Sequence, residues 1–332
     1  MRSLAAQPAI VDISGLRAGD PRALERVARD LAKPCAEWGA FHIVGHGVPR
    51  AELDRFDAAM RALFDLPESA KRAVRRSRDN ARGWYDEELT KNRPDWKEVF
   101  DYGAERDPTD SDARHSDGVN RWPEGSGELR GTLLGHYGTC EQLGLALMRA
   151  LCVSLGVAPD VLDRAFDPHS SFVRLNRYAP CPDPAPPDAP LFPESGHLGV
   201  HHHTDAGALT VLYQDEVAGL QIEHDGAFVV IEPVPDAFAV NLGDMLQVWS
   251  NDRFRSPLHR AITSAERTRH SAPFFLNPGY GTVAKPLESL VGPGERAHYR
   301  PVSWTHFRDQ RSAGDYADYG SEIQISDYRI EG

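Results

Sequence analysis

Basic charge is scarce in this sequence: 37 Lys and Arg stand against 49 Asp and Glu in 332 residues, a formal net charge of -12. Nucleic acids and anionic membrane surfaces both attract basic proteins, so neither is an expected partner. A local exception, Lys71–Arg82, reads as a solvated basic face. Cysteine is sparse as well. Cys35, Cys140, Cys152 and Cys181 are scattered with no C-x-x-C pair, which fits neither a zinc knuckle nor a disulfide scaffold and leaves reduced, structural thiols as the expectation. No apolar run approaches the roughly 20 residues that cross a bilayer. The opening stretch MRSLAAQPAIVDIS lacks the charged start and long apolar core of a signal peptide. A reducing cytoplasm is therefore the expected compartment, while no feature sets the oligomeric state.

What is present suits a globular protein. Hydrophobic residues make up 41% and charged residues 26%, the usual soluble mixture, and the length suffices for one large domain or two ordinary ones. The first third reads as helices with short strands. Leu24, Val27, Leu31 and Cys35 form a helical stripe over Pro21–Trp38, with Asp20 as its N-cap. Phe41–Val44 reads as a short buried strand, Ala51–Leu66 as a helix limited by Pro67, and Leu129–Leu155 as a long helix stopped by Gly156.

From Phe172 the period changes from helical to alternating. Eight strands are expected: Phe172–Tyr178, Leu209–Tyr213, Leu220–Ile222, Phe228–Ile231, Phe238–Asn241, Leu246–Trp249, His259–Thr263 and Ala272–Leu276. Turn residues such as Asp225-Gly226 and Gly243-Asp244 separate them. So many short strands in succession predict an antiparallel sandwich or barrel, with the jelly roll as one standard solution. Pro180–Pro193 reads as an exposed, semi-rigid loop. There is no internal repeat, and the tail after Ser303 reads as partly helical, then irregular. Three segments follow: an N-terminal helix/strand module over 1–165, a strand-rich core over 166–300, and a helical tail over 301–332.

Within that core, His201–His203 precede Thr204 and Asp205. Residues i and i+2 of a strand share a face, so His203 and Asp205 can point together while His202 and Thr204 point elsewhere; His201 and His202 are both left outside the ligand set. His259, on a distant strand, supplies a second imidazole. Two imidazoles and one carboxylate form a facial triad that leaves three positions of an octahedral iron(II) open. A zinc hydrolase uses similar ligands. Ten residues after His259 comes Arg269, followed by Ser271, and on one strand these share a face. Arginine offers a planar fork to a carboxylate and serine adds a donor.

These segments resemble the 2-oxoglutarate/iron(II) dioxygenase superfamily, in the branch of isopenicillin N synthase and the plant flavonoid, gibberellin and ethylene-forming oxygenases. The matching stretches are LGVHHHTDAGALTVLYQ, GLQIEHDGAFVVIEPVPDAFAVNLGDMLQVWSNDRFRSPLHRAI and RHSAPFFLNPGY, with IVDISGL, CAEWGAFHIVGHGVP and ALFDLPESAKR in the N-terminal part. The resemblance is collinear over most of the chain. It implies a mainly β fold with flanking helices around a double-stranded β-helix, the distorted jelly roll. It implies iron(II) on His203, Asp205 and His259, and 2-oxoglutarate held by Arg269 and Ser271 with help from Asn176 and Tyr178 in RLNRYAP. It further implies a reaction in which dioxygen and 2-oxoglutarate are consumed, succinate and carbon dioxide are released, and a small organic substrate is hydroxylated, desaturated or cyclised. Two positions depart from the plant pattern: Arg177 replaces the middle Tyr of an Asn-Tyr-Tyr stretch, and Phe228 replaces a Trp after the Asp-Gly turn.

For substrate contact the sequence points to Phe275, Tyr213, Phe192, Tyr102 and Phe100, and to Arg177 or the Lys71–Arg82 stretch for a substrate carboxylate. Two other functions are weighed. An oxidase of the isopenicillin N synthase type uses iron and dioxygen without 2-oxoglutarate, although it lacks an Asn at the position of Asn176. A non-catalytic jelly-roll binding protein has no need of the triad together with Arg269 and Ser271.

Overall fold

The computed structural model describes residues 6–105, 118–292, 294–318 and 320–330. The first strand, β1 (Ile10–Asp12), leads into α1 (Pro21–Glu37), β2 (Ala40–Val44), α2 (Arg50–Phe64) and α3 (Glu68–Ala73). Four short strands follow: β3 (Gly83–Tyr85), β4 (Leu89–Thr90), β5 (Arg93–Pro94) and β6 (Glu98–Gly103). After α4 (Gly127–Ser154) come β7 (Phe172–Tyr178), β8 (Leu198–His203), β9 (Leu209–Gln214), β10 (Leu220–His224), β11 (Ala227–Val230) and β12 (Phe238–Leu242). The chain continues with α5 (Asp244–Trp249), β13 (His259–Ile262), β14 (Arg269–Leu276), β15 (Val283–Ala284), β16 (Val302–Ser303) and α6 (Trp304–Ala313).

Local chemistry accounts for the helix ends. The Asp20 carboxylate accepts the Arg22 N–H at 2.9 Å and Pro21 opens α1, while Val27, Leu31 and Cys35 turn its stripe inward. Gly156 sits at φ +77° just beyond α4, a conformation that closes a helix without a Cβ penalty.

The strands form two facing sheets. The larger runs β1-β2-β12-β9-β14-β7-β6-β3 and the smaller β11-β10-β13-β8. Together they make the double-stranded β-helix, with α1, α2 and α4 packed on the outer face of the larger sheet. All four cysteines are buried and unpaired. No helix among the described residues is long and apolar enough to cross a membrane.

Three expectations are corrected here. Leu246–Trp249 belongs to the helix α5, not to a strand: Met245, Leu246, Val248 and Trp249 are all buried, and a short run apolar on every side carries no period that separates helix from strand. Pro180–Pro193 is only partly exposed. Ala185 and Ala189 pack on Leu198, and the carbonyls of Pro187 and Pro190 accept hydrogen bonds from the Arg260 guanidinium, itself stacked 4.0 Å over Phe228.

The basic stretch Lys71–Arg82 is likewise only partly solvated: Arg72 and Arg78 are exposed, but Arg76 and Arg82 are not. Arg76 is buried, reaching Glu88 and Asp101 at 2.6 Å each. Arg174 binds the same two carboxylates at 2.8 Å, and Lys97 pairs with Glu88 and Asp95. Burial alone would raise the pKa of Glu88, but Arg174, Lys97 and Arg76 hold it well below the usual carboxylate range. Removing one member of such a network strands a buried charge. Arg76→Met is expected to lower unfolding stability by on the order of 3–5 kcal/mol, toward the smaller figure because Arg174 remains. Urea unfolding measures it, and an unchanged midpoint would contradict a structural role for the network.

Candidate metal centre and co-substrate pocket

Hydrogen-bond register brings the two histidines together, for His259 on β13 lies directly opposite His203 on β8. Their rings stand 4.3 Å apart between centroids. Asp205 lies beyond β8 rather than on it, so a shared strand face is not what places it. Its Oδ1 nonetheless approaches His203 Nε2 at 3.8 Å and His259 Nε2 at 3.6 Å. Among the described residues this is the only group of three His, Cys, Asp or Glu placed to hold one ion.

The remaining polar atoms of the three side chains are occupied in a way that frees the inward ones. Nδ1 of His203 is 2.8 Å from the His201 carbonyl, and Nδ1 of His259 is 3.1 Å from the Pro257 carbonyl. Each Nδ1–H therefore donates to backbone, which leaves each Nε2 with a lone pair toward the centre. Thr210 donates its hydroxyl to Asp205 Oδ2 at 2.6 Å, leaving Oδ1 free. Burial, then the neighbouring His259, holds His203 well below the usual histidine range, so the imidazole is neutral and able to ligate. The donor set and its spacing fit a small divalent cation bound at roughly 2.1 Å per ligand.

The centre opens into a cavity of about 180 Å³ between the two sheets. Strand alternation decides its lining. Phe172, Arg174, Asn176 and Tyr178 of β7 face inward, as do Arg269, Ser271, Pro273 and Phe275 of β14. Register places Arg269 opposite Tyr178 and Ser271 opposite Asn176. Asn176 Nδ2 donates to Ser271 Oγ at 3.4 Å, and the Arg269 guanidinium lies 5.1 Å over the Tyr178 ring. Arg269 is only 4% exposed, bonded through Nε to the Val217 carbonyl and through Nη2 to Gln214. It forms no salt bridge among the described residues, although its charge is felt by the Asp215 carboxylate, and it lines the cavity. A carboxylate of a small 2-oxoacid fits its guanidinium. Gly219 permits the arrangement, because a Cβ there would lie 2.5 Å from Arg269 Cδ.

Of the five aromatic residues expected at the substrate, Phe275 alone lines the cavity. Tyr213 faces the helices with Ala272, its cross-strand partner, and meets Phe56 edge-on at 5.3 Å. Phe100 and Tyr102 lie opposite Leu175 and Val173 on the outward parity of β7, packed against Trp122. Tyr102 donates its hydroxyl to the Leu133 carbonyl at 3.0 Å. Phe192 is half exposed on the proline-rich loop, edge-on to His202 at 4.7 Å. Arg177 also has outward parity and is tied to Glu98 at 2.9 Å, so it does not reach the cavity. For the strand residues the type was suitable and the face was wrong; Phe192 sits on a loop outside the cavity wall.

Residues that went unnoticed in the sequence are Thr210, Phe172, Arg174, Trp304, Arg308 and Arg311, all of which line the cavity. Extending the two-residue period back from Asn176 would have found Phe172 and Arg174. Nothing local marks Thr210 or the α6 residues.

A jelly roll carrying a two-histidine, one-carboxylate centre beside a buried, unpaired arginine defines the class of non-haem iron oxygenases. The comparisons take this to the family. Residues 169–278 match the 2OG-Fe(II) oxygenase superfamily, and residues 9–125 match the non-haem dioxygenase in morphine synthesis N-terminal family. Gibberellin 20 oxidase 2 of Oryza sativa subsp. indica is 33% identical over 305 residues, covering 89% of this chain and 73% of that protein. The rice dioxygenase for auxin oxidation superposes with a TM-score of 0.72 at 29% identity, covering 98% of this chain and all of the other. JOX2, solved with 2OG, Fe and JA, gives a TM-score of 0.77 at 25% identity, covering 100% of this chain and 93% of its own. The chain belongs to the 2-oxoglutarate/Fe(II) oxygenase superfamily. It is a non-haem Fe(II)- and 2-oxoglutarate-dependent oxygenase of small organic substrates.

Removing a ligand tests the centre. Asp205→Ala and His203→Ala are expected to abolish stoichiometric iron binding while His201→Ala and His202→Ala retain it, as read by anaerobic iron titration. Thr210→Ala, which releases Asp205 Oδ2, is expected to weaken iron by roughly 10- to 100-fold.

Proposed function

We propose that His203, Asp205 and His259 are the iron ligands, that Arg269 and Ser271 receive the distal carboxylate of 2-oxoglutarate, and that Asn176 and Tyr178 position them. The observation that carries this reading is the convergence of Nε2, Nε2 and Oδ1 on one point in the cavity where Arg269 stands buried and unpaired. When bound, iron and 2-oxoglutarate supply the oxidising power, with dioxygen consumed and succinate and carbon dioxide released. The chain's residues supply placement. Thr210 and the two backbone carbonyls orient the ligands. Tyr178, stacked beneath Arg269, holds the guanidinium plane. Phe275 faces the centre from β14 and shapes the space for a substrate carbon.

The division into an N-terminal module over 1–165, a catalytic core over 166–300 and a tail over 301–332 is proposed as a functional one. On it, the core binds metal and co-substrate, and the tail closes the cavity through α6. A reducing cytoplasm is the proposed compartment, in keeping with four unpaired thiols.

Arg269→Gln tests the co-substrate assignment. Leaving a buried anion without its partner costs on the order of 3–5 kcal/mol, which is roughly a hundred- to several-thousand-fold in affinity. The apparent constant for 2-oxoglutarate is expected to rise by that factor while iron binding holds. A 2-oxoacid with a single carboxylate should respond almost equally in wild type and variant. Steady-state succinate release and oxygen uptake measure both. Full substrate oxidation without any 2-oxoacid would instead make Arg269 an anchor for the substrate itself.

A further inference from the structure

Building on the oxygenase reading of this cavity, we infer that the substrate carries a carboxylate and that Arg308 on α6 is the residue that receives it. Arg308 is half-buried and lines the same cavity as His203, Asp205 and His259. Its guanidinium makes no hydrogen bond and no ion pair among the described residues; it lies 5.4 Å from the Phe172 ring and within electrostatic reach of Asp315. Other cations of the cavity wall are occupied by the protein. Lys97 and Arg174 belong to the Glu88 network, and Arg260 is taken up by Gln221 and two proline carbonyls. Arg311 donates to the Thr204 carbonyl at 2.7 Å and to Gln324 at 3.3 Å. Five donors held partly out of water with none in use suit a ligand better than a structural contact.

The helix puts this free guanidinium beside the chemistry. Thr204, the acceptor for Arg311, stands between His203 and Asp205, so α6 is pinned at the metal centre. Arg308 precedes Arg311 by three residues and shares its helix face, roughly 5–6 Å away. It is a different anion site from Arg269. Arg308 packs on Phe172 whereas Arg269 stacks on Tyr178, six residues further along β7, a span of roughly 20 Å at about 3.3 Å per residue.

Charge balance points the same way. Among the acids of the cavity, Glu88 already meets three cations, Glu322 pairs with Lys91 at 3.3 Å, and Asp205 belongs to the metal centre. Asp315 feels the charge of Arg308 without forming a salt bridge to it, and its carboxyl, pushed up to about 6 by burial and Glu88, is shared with Arg174 and Arg76. A guanidinium with no salt bridge of its own matches one monoanion, and its planar fork matches a carboxylate. Phe172, Phe275 and Trp304 line the cavity around it, so the rest of the substrate is apolar.

The test uses the anaerobic Fe(II)–2-oxoglutarate complex of the full chain, titrated calorimetrically with 3-phenylpropanoate, cinnamate and decanoate and with their primary amides. At least one acid is expected to bind wild type tenfold or more tighter than its amide. Arg308→Gln should cut that preference by roughly 10- to 100-fold, and Arg308→Lys, which keeps the charge but not the fork, should keep part of it. Equal binding of acids and amides to wild type, no binding by any acid of the panel, or a preference that survives in Arg308→Gln would each overturn the assignment. Thermal melting reports whether the variants are folded. Failure of the underlying oxygenase reading would look different: the visible charge-transfer band of the Fe(II)–2-oxoglutarate complex would not form in wild type.

Discussion

The hydrogen bond from Thr210 to Asp205 ties the two sheets together at the candidate metal centre. His203 and His259 are neighbours within the smaller sheet, set opposite each other by the β8–β13 register. Thr210 belongs to β9 in the larger sheet. Its hydroxyl orients a carboxylate that comes from the turn after β8. The centre therefore spans the sandwich, and its geometry depends on both sheets keeping their separation. The core beneath β9 and β14, where α4 meets Leu276 and Phe274, supplies that rigidity.

The inward faces of such a sandwich must be polar enough for a metal and an anion without filling with unpaired charge. Here the problem is divided along the strands. One end of β7 and β14 holds Tyr178, Arg269, Ser271 and Asn176; the other holds Phe172 and Phe275. Charged groups that do not face a ligand are neutralised in place by the network of Arg76, Glu88, Arg174, Asp101 and Lys97. That network accounts for the burial of Arg76 within an otherwise partly exposed basic stretch. It also makes any unpaired arginine in the cavity meaningful, because the surrounding structure pairs its charges thoroughly.

The fold class, most element positions and the three residues that meet at the candidate metal centre were legible in the sequence, because each rests on short-range regularities. An apolar stripe every three to four residues is enough for a helix, and an alternation of two for a strand. The candidate centre was legible because a histidine pair and an acid stand beside strand-forming residues and ahead of Arg269 and Ser271. Asp205 shows the margin of that argument. It does meet the two histidines, while the strand face invoked for it ends two residues too early.

What only the tertiary structure decided was orientation. Phe100, Tyr102 and Tyr213 belong to strands as expected, yet whether a strand's odd or even residues face the cavity depends on which strand it pairs with and on how the sheet closes. Those partners lie far away in the chain: Phe100 opposite Leu175, Tyr213 opposite Ala272. Likewise Leu246–Trp249 carries no period of its own, and burial on all sides left tertiary packing to make it a helix. The sequence by itself determined the chemistry available to this protein, since residue type and local period are properties of neighbours along the chain. The tertiary structure decided which of those side chains meet, because a sheet's inner face is a property of pairings between distant strands.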